Sequence, residues 1–266
     1  MTTITTHFLE RPGVRLRYEV RGSGPLLVVT GAPMAAADFA ALADALAADH
    51  TVVTHDPRGI SGSVLDDPAE DSTPELRADD LAAILDALGA ESADVFGSSG
   101  GAVTGLSLVE RHPSRVRTLV AHEPPCVELL PEAAEQRAVV DDIIETFHRD
   151  GLGAAFGKFM ANAGFDQPAG PPGEPSEQAM ADGARFLAHE LRGTTRYVPD
   201  VAALKAAPCR IVVGVGAESG RLLTYRTSAA LAGLLGTEPV EFPGDHGGFL
   251  GEAEEFAGVL RKVLAG

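Results

Sequence analysis

The most informative part of this chain of 266 residues is Gly97-Ser98-Ser99-Gly100-Gly101. It matches the pattern Gly-x-Ser-x-Gly, and Ser99 stands at its centre. A strand-like run, residues 93–96, precedes it, and a helix-like run, residues 102–111, follows it. A serine in a sharp strand-to-helix turn has a strained backbone, and flanking glycines let neighbouring segments approach without a Cβ clash. The motif therefore predicts a hydroxyl raised above a sheet, near helix N–H groups that can stabilise an oxyanion.

Short apolar runs alternate with helical patterns on both sides of this motif. We predict strands at residues 7–10, 14–21, 26–30, 51–54, 93–96, 116–121, 210–215 and 239–242. We predict helices at residues 38–48, 74–88, 102–111, 223–235 and 252–264. This alternation predicts an α/β fold with a mostly parallel, doubly wound sheet and helices on both faces. The C-terminal ends of such strands share one edge of the sheet, where ligands bind.

The alternation stops at Glu123. Residues 124–207 have helical patterns at 129–149, 152–162 and 176–191 and no convincing strand, which predicts a helical lid inserted after the sixth strand. The predicted core is then formed by residues 1–123 and 208–266. A packing subdomain without substrate contact is the alternative. Several apolar side chains of the lid are candidates to face the site and predict a hydrophobic substrate: Leu129, Leu130, Phe147, Phe156, Phe159, Met160, Phe165 and Phe186.

The charge and the composition exclude several classes of partner. The formal net charge is −17, which argues against nucleic acid, because phosphate binding needs clustered Lys and Arg. The sequence has no basic helix of the kind that docks on an anionic membrane. No run reaches the ~18 apolar residues that span a bilayer. No secretory signal is visible, so we expect a cytoplasmic protein, and the scarcity of lysine indicates a bacterial source. No Cys or His spacing predicts a metal or a cofactor, and the oligomeric state stays open, with a homodimer as one option.

Acyl transfer by serine needs a base, an acid that orients the base, and donors for the oxyanion. The best candidate base is His246, which lies in the glycine-rich loop 243–249 between the last strand and the last helix. That loop belongs to the same sheet edge as Ser99. His55 and His122 also follow strands, but a supporting position behind the site explains them more simply.

Two glutamates are candidates for the acid. Glu123 follows the strand after the serine helix, and Glu218 follows the next strand, so both keep the chain order serine, acid, histidine. Pro124-Pro125 hold the chain extended directly after Glu123, which favours a positioned carboxylate there. A solvated loop carboxylate is the alternative for either residue.

The oxyanion hole needs two backbone N–H groups. Gly100 directly follows the candidate nucleophile and is the first candidate donor. The segment Thr30-Gly31-Ala32-Pro33 follows the third strand, and the N–H of Ala32 is the second candidate. An ordinary turn at the end of a strand is the alternative for this segment.

Taken together, these segments resemble those of the α/β-hydrolase fold family over nearly the whole chain. The resemblance is carried by residues 97–101, 30–33, 244–246 and 56–63, the last with the sequence Asp-Pro-Arg-Gly-Ile-Ser-Gly-Ser. It implies that Ser99 is the nucleophile and His246 the base. It also implies that Ala32 and Gly100 supply the oxyanion donors, and that segment 56–63 mainly shapes the loop beside the site.

The chain departs from the family pattern in two places. Thr30-Gly31 stands where the family usually has His-Gly, and Ser219 stands where the acid is expected after the penultimate strand. Glu123 matches the acid position of a branch of the haloalkane dehalogenases, so the resemblance ranks it ahead of Glu218. A dehalogenase or epoxide hydrolase of this fold would need Asp where this chain has Ser99.

We therefore expect a serine hydrolase that cleaves an ester, thioester or lactone of a hydrophobic small molecule through an acyl-enzyme. A lyase, a cyclase or a C–C hydrolase of small-molecule metabolism is the first alternative, because the fold hosts such chemistry. A ligand-binding protein without catalysis is the second, and the intact Ser99 and His246 argue against it.

Overall fold

One sheet forms the centre of the molecule. The computed structural model describes residues 3–165 and 175–266, and in them nine strands join this sheet. The strands are β1 (Ile4–Arg11), β2 (Val14–Gly22), β3 (Leu26–Thr30), β4 (Thr51–His55), β5 (Val64–Leu65), β6 (Ala93–Ser98), β7 (Val116–His122), β8 (Arg210–Gly216) and β9 (Val240–Phe242). Their order across the sheet is β1-β2-β4-β3-β6-β7-β8-β9, and β5 pairs with β2.

The sheet is mostly parallel. Strands β1 and β2 form an antiparallel hairpin, and β2 also runs antiparallel to β4 and to β5. Every pair from β4 across to β9 is parallel. The predicted α/β class with a doubly wound sheet is thus confirmed.

Eleven α-helices lie in the described residues. They are α1 (Ala40–Leu46), α2 (Pro74–Ala87), α3 (Gly100–Arg111), α4 (Ala133–Asp150), α5 (Leu152–Ala163), α6 (Glu177–Arg185), α7 (Leu191–Thr195), α8 (Val201–Ala206), α9 (Leu223–Leu235), α10 (Gly248–Gly251) and α11 (Ala253–Ala265). A π-helical turn, Phe186–Glu190, joins α6 to α7. No helix in the described ranges is long and apolar enough to cross a bilayer.

Side chains of the central strands alternate between two hydrophobic cores. Val28 and Val95 face a core that is covered by α2, α3, α8 and α9. Leu27 and Phe96 face the opposite core, which α1 and α11 cover. This two-residue period puts apolar side chains on both faces, and each fully buried Leu or Phe stabilises the fold by roughly 1.5–3 kcal/mol.

The segment between β7 and β8 carries α4 to α8, and we call residues 124–207 the helical insert. Its described residues build a small core of their own: Val140, Ile143, Ile144, Ala155, Phe186, Leu187 and Leu191. The division into a core and a lid stays a prediction, and residues 166–174 of the predicted lid lie outside the described residues.

Several predicted boundaries differ from the structure. The insert follows the seventh strand in chain order rather than the sixth, because the two-residue strand β5 is too short to produce a sequence pattern. Helix α4 begins at Ala133 instead of residue 129, since a 3-10 turn, Val127–Leu129, and Pro131 precede it. The predicted helix at 176–191 is divided by the π turn, and α8 was not predicted.

Candidate active site

Ser99 lies in a strained turn between β6 and α3. Its backbone has φ 55° and ψ −121°, and its N–H donates to the His122 carbonyl at 2.9 Å. A Cβ on Gly97 would lie 2.4 Å from the carbonyl oxygen of Gly101, and one on Gly101 would lie 2.2 Å from that of Thr30. These two positions therefore need glycine for the turn to close.

His246 is paired with a glutamate. It lies in the loop after β9, and its Nδ1 is 2.6 Å from Oε2 of Glu123. An ionised carboxylate can only accept a hydrogen bond, so Nδ1 carries a proton, and in the neutral imidazole Nε2 then has the lone pair. The ring of Phe165 packs against His246 with the ring centroids 5.8 Å apart. A neutral imidazole held in this tautomer can act as a base through Nε2.

Glu123 is fully buried and has three hydrogen-bond donors around its carboxylate. Besides His246, the Gly216 N–H donates to Oε1 at 2.8 Å and the Thr224 hydroxyl donates to Oε2 at 2.6 Å. Burial by itself raises the pKa of Glu123, but the hydrogen bond and charge of His246 outweigh it and lower the pKa to about 2. The buried Ser219 hydroxyl also adds to this lowering, although it makes no hydrogen bond of good geometry. The carboxylate is therefore ionised at neutral pH.

The alternative acid, Glu218, lies elsewhere. Its side chain is exposed, and its backbone N–H donates to the carbonyl of Gly244 at 2.9 Å. The structure thus brings Glu123 rather than Glu218 to His246. Two neighbours of the carboxylate, Thr224 and Ser219, were not predicted as functional. A departure from the family pattern marked Ser219, whereas no sequence signal pointed to Thr224.

His122 and His55 occupy supporting positions. His122 is fully buried among Phe96, Phe242, Phe249 and Phe256, and burial lowers its pKa to about 3, so its ring is neutral. The ring centroid of His122 lies 6.3 Å from that of His246. His55 is also buried, and its Nε2 is 2.8 Å from the hydroxyl of Thr30. Thr30 occupies the position where the family usually has a histidine, and His55 bonds to it.

The two candidate oxyanion donors lie side by side. A Cβ on Gly100 would be 2.5 Å from the carbonyl oxygen of Ala32, and both residues border the same cavity as Ser99. Asp56 braces the neighbouring loop, because its side chain accepts from Ala36 N–H at 2.8 Å and from Gly62 N–H at 3.0 Å. Strand β3 and helix α3 thus bring the two N–H-bearing segments to one point.

A cavity of about 220 Å³ joins Ser99 and His246 to the helical insert. Its wall is largely apolar, and the predicted lid residues among its lining are Phe156, Phe159, Phe165 and Phe186. Phe147 instead borders a separate surface groove. Further apolar lining residues of the insert are Pro125, Val127, Val140, Ile143, Ala163 and Leu191, and its polar ones are Asn162, Thr194 and Thr195.

Comparison with known sequences gives consistent relatives. A family model described as alpha/beta hydrolase fold matches residues 24–163. An uncharacterized hydrolase, YraK, of Bacillus subtilis (strain 168) is 35% identical over 98% of this chain and 97% of its own length. Zearalenone hydrolase of Bionectria ochroleuca is 27% identical over 92% of each chain.

Solved structures share the fold. A thermophilic esterase from Thermogutta terrifontis superposes with a TM-score of 0.74 and 21% identity, over 100% of this chain and 98% of that one. The enol-lactonase from Burkholderia xenovorans LB400 superposes with a TM-score of 0.67 and 17% identity, over 98% and 100%. At these identities the likeness concerns the fold alone.

Proposed function

Because the chain belongs to the α/β-hydrolase fold family and is a hydrolase, we propose that it acts as a serine hydrolase on an ester, thioester or lactone. The substrate is a hydrophobic small molecule, and the reaction passes through an acyl-enzyme. One observation carries the proposal: the His246–Glu123 hydrogen bond of 2.6 Å stands at the cavity that Ser99 borders. Two of the structural neighbours are an esterase and an enol-lactonase, whose names fall within this class.

The proposed reaction begins with attack of the Ser99 hydroxyl oxygen on the substrate carbonyl, while Nε2 of His246 takes the hydroxyl proton. The N–H groups of Ala32 and Gly100 stabilise the oxyanion of the tetrahedral intermediate, and each such donor contributes roughly 3 kcal/mol. His246 then protonates the leaving oxygen or sulfur, and the acyl group stays on Ser99. A water molecule, deprotonated by His246, releases the acid and restores the serine.

Glu123 is the orienting acid in this proposal. Its ionised carboxylate holds the His246 proton on Nδ1 and balances the imidazolium charge that forms in the transition state. The Thr224 hydroxyl and the Gly216 N–H support that role, because they hold the carboxylate in place from two other directions. Glu218 has no part in the reaction.

The helical insert acts as a lid that selects the substrate. Its support is the cavity wall, in which apolar side chains of the insert face the residues of the reaction. An apolar wall favours a hydrophobic acyl or alcohol part, since burial of such a surface contributes about 25 cal/mol per Å². We also place the reaction in the cytoplasm, on the strength of the sequence alone.

A panel of p-nitrophenyl esters, thioesters and lactones tests this function, with chromatographic analysis of the products. We expect turnover by the wild type and none by Ser99→Ala. The matched control is Ser98→Ala, one residue away, whose buried hydroxyl has no hydrogen-bond partner in the described structure. It is expected to keep activity within about threefold, since no reacting group changes. Products of elimination, cyclisation or C–C cleavage would support the lyase, cyclase or C–C hydrolase alternative. Absence of turnover, together with failure of a fluorophosphonate to label Ser99, would support ligand binding without catalysis.

A further inference from the structure

Two adjacent threonines of α7, Thr194 and Thr195, border the cavity but use their hydroxyl groups differently. The hydroxyl of Thr195 donates to the Leu191 carbonyl at 2.8 Å, four residues earlier in the helix. The hydroxyl oxygen of Thr194 instead accepts from Nη2 of Arg77 at 2.9 Å. Within residues 3–165 and 175–266, no acceptor takes the hydroxyl hydrogen of Thr194. The hydrogen of this hydroxyl is thus uncommitted, on a residue that borders the cavity.

The carbonyl four residues before Thr194 belongs to a π turn, whereas the carbonyl four residues before Thr195 belongs to α7. Leu191 N–H donates to the carbonyl of Phe186, five residues earlier, so the turn holds one residue more than an α-helical turn. In a regular helix the Thr194 hydroxyl would bond to the carbonyl of Glu190. The extra residue shifts the register of the turn that follows, and π turns of this kind often accompany functional sites. The Thr194 hydroxyl pairs with Arg77 instead of with its own helix.

Arg77 makes the Thr194 hydroxyl a stronger donor. The guanidinium is fully buried and is held in place by donating to the Thr104 hydroxyl at 2.9 Å and to the Ser72 carbonyl at 2.7 Å. Its nearest carboxylate oxygen among the described residues, on Glu190, is 4.0 Å away, too far for a hydrogen bond. A cation that donates to a hydroxyl oxygen draws electron density from it and strengthens the hydrogen bond that the hydroxyl can donate.

We propose that Thr194 determines substrate specificity by donating a hydrogen bond to an uncharged oxygen of the substrate, remote from the carbonyl that is cleaved. The inference rests on the proposed function. The oxygen is a keto, ester, ether or hydroxyl oxygen, because no cation lines the described part of the cavity to balance an anion. A purely hydrocarbon chain would bury the Thr194 donor without a partner, at a cost of roughly 1–3 kcal/mol. A site with such a donor discriminates against analogues that lack the acceptor.

A series of p-nitrophenyl esters of one chain length tests this role. One member has an all-methylene acyl chain. In each of the others, one methylene group of that chain is replaced by a keto group, at a different position in each ester. The quantity compared is the ratio of kcat/KM for each keto ester to that for the methylene ester. We expect this ratio to be about tenfold or more in the wild type when the keto group is at one or two positions of the chain. At those positions the keto oxygen accepts the hydrogen bond of Thr194.

Three variants separate the hydroxyl from its surroundings. Thr194→Val, which keeps the shape of the side chain, is expected to lose this preference, and Thr194→Ser, which keeps the hydroxyl, is expected to retain it. The matched control is Thr195→Val, because the Thr195 hydroxyl is already bonded to its own helix; its keto preference is expected to equal that of the wild type. Thr194→Ala replaces the valine variant if the latter does not fold, as judged by circular dichroism.

The outcomes distinguish the inference from the function on which it rests. A Thr194→Val enzyme that keeps the keto preference, or a Thr195→Val enzyme that loses it equally, would overturn the role of Thr194 and leave the serine hydrolase intact. A wild type without preference at any position would overturn it as well. Failure of the wild type to cleave any ester of the series would refute the proposed function, and this inference with it.

Discussion

Replacing Glu123 by Gln tests the arrangement behind His246. The wild-type carboxylate accepts from His246, Gly216 and Thr224. A glutamine can keep one acceptor for the Gly216 N–H, and its NH₂ group then faces Nδ1 of His246. The imidazole must accept there, so its proton moves to Nε2, and the base that Ser99 requires is lost.

The expected magnitude follows from the charges. A carboxylate and an imidazolium with charge centres about 4 Å apart attract each other by about 4 kcal/mol at an effective dielectric constant of about 20. The lowering of the pKa of Glu123 has the matching direction, because the hydrogen bond and charge of His246 oppose the effect of burial. A loss of 3–4 kcal/mol lowers kcat by a factor of roughly 10²–10³. The wrong tautomer of His246 increases this factor to roughly 10⁴.

Steady-state kinetics with the best ester of the panel measures this effect. We expect kcat of Glu123→Gln to fall about 10³–10⁴-fold, with KM within about threefold, because Glu123 does not line the cavity in the described structure. The matched control is Glu218→Gln, whose exposed side chain should leave kcat within about twofold. A Glu123→Gln enzyme with more than a tenth of the wild-type kcat, or a larger loss in Glu218→Gln, would show that Glu123 is not the acid behind His246.

Two further predictions concern stability, and urea unfolding measures both. Gly101→Ala places a Cβ 2.2 Å from the Thr30 carbonyl oxygen and is expected to lower the free energy of unfolding by about 2 kcal/mol or more and to abolish activity. Glu190→Gln removes a buried carboxyl whose pKa burial raises from 4.5 to about 7. The folded wild type holds this proton up to about pH 7, whereas the unfolded chain releases it near pH 4.5, so wild-type stability falls as pH rises between the two values. The free energy of unfolding of Glu190→Gln, relative to that of the wild type, should therefore rise by up to roughly 3 kcal/mol between about pH 5 and pH 8.

Each stability prediction has its own check. Gly157→Ala in α5 is the control for Gly101, because an added Cβ meets nothing within 4 Å there, and it is expected to stabilise the helix by about 1 kcal/mol. Equal stability of the two alanine variants would contradict the close approach at Gly101. For Glu190→Gln, a difference from the wild type that does not change with pH would show that the buried carboxyl titrates normally.

The central part of the fold could be predicted because its signals are local. The alternation of apolar runs with helical patterns follows from periods of 2 and 3.6 residues, and the glycines around Ser99 follow from one tight turn. The N-terminal end of α2 is also set by local residues. Thr73 caps the helix with its side chain, and Pro74 occupies its first position. Such features depend only on residues close to one another in the chain.

The details of the site depend on distant residues and were less predictable. Glu123 and Glu218 both follow neighbouring parallel strands, so the strand pattern alone leaves both open. Glu123 has φ 51° and its carboxylate lies on His246, a contact across 123 residues. The Glu123–Thr224 and Arg77–Thr194 hydrogen bonds are also long-range. They join residues that are 101 and 117 positions apart in the chain, respectively. No periodicity of the sequence encodes them, nor does it mark the π turn.

The central claim is that Ser99 becomes acylated during the reaction. The direct measurement is intact-protein mass spectrometry after reaction with a slowly released ester, or with a fluorophosphonate, followed by peptide mapping of the modified residue. We expect one acyl or phosphonyl group per chain, located on Ser99, absent in Ser99→Ala, and present in Ser98→Ala. An enzyme that turns over the ester without any adduct on Ser99, or with the adduct on another residue, would contradict it.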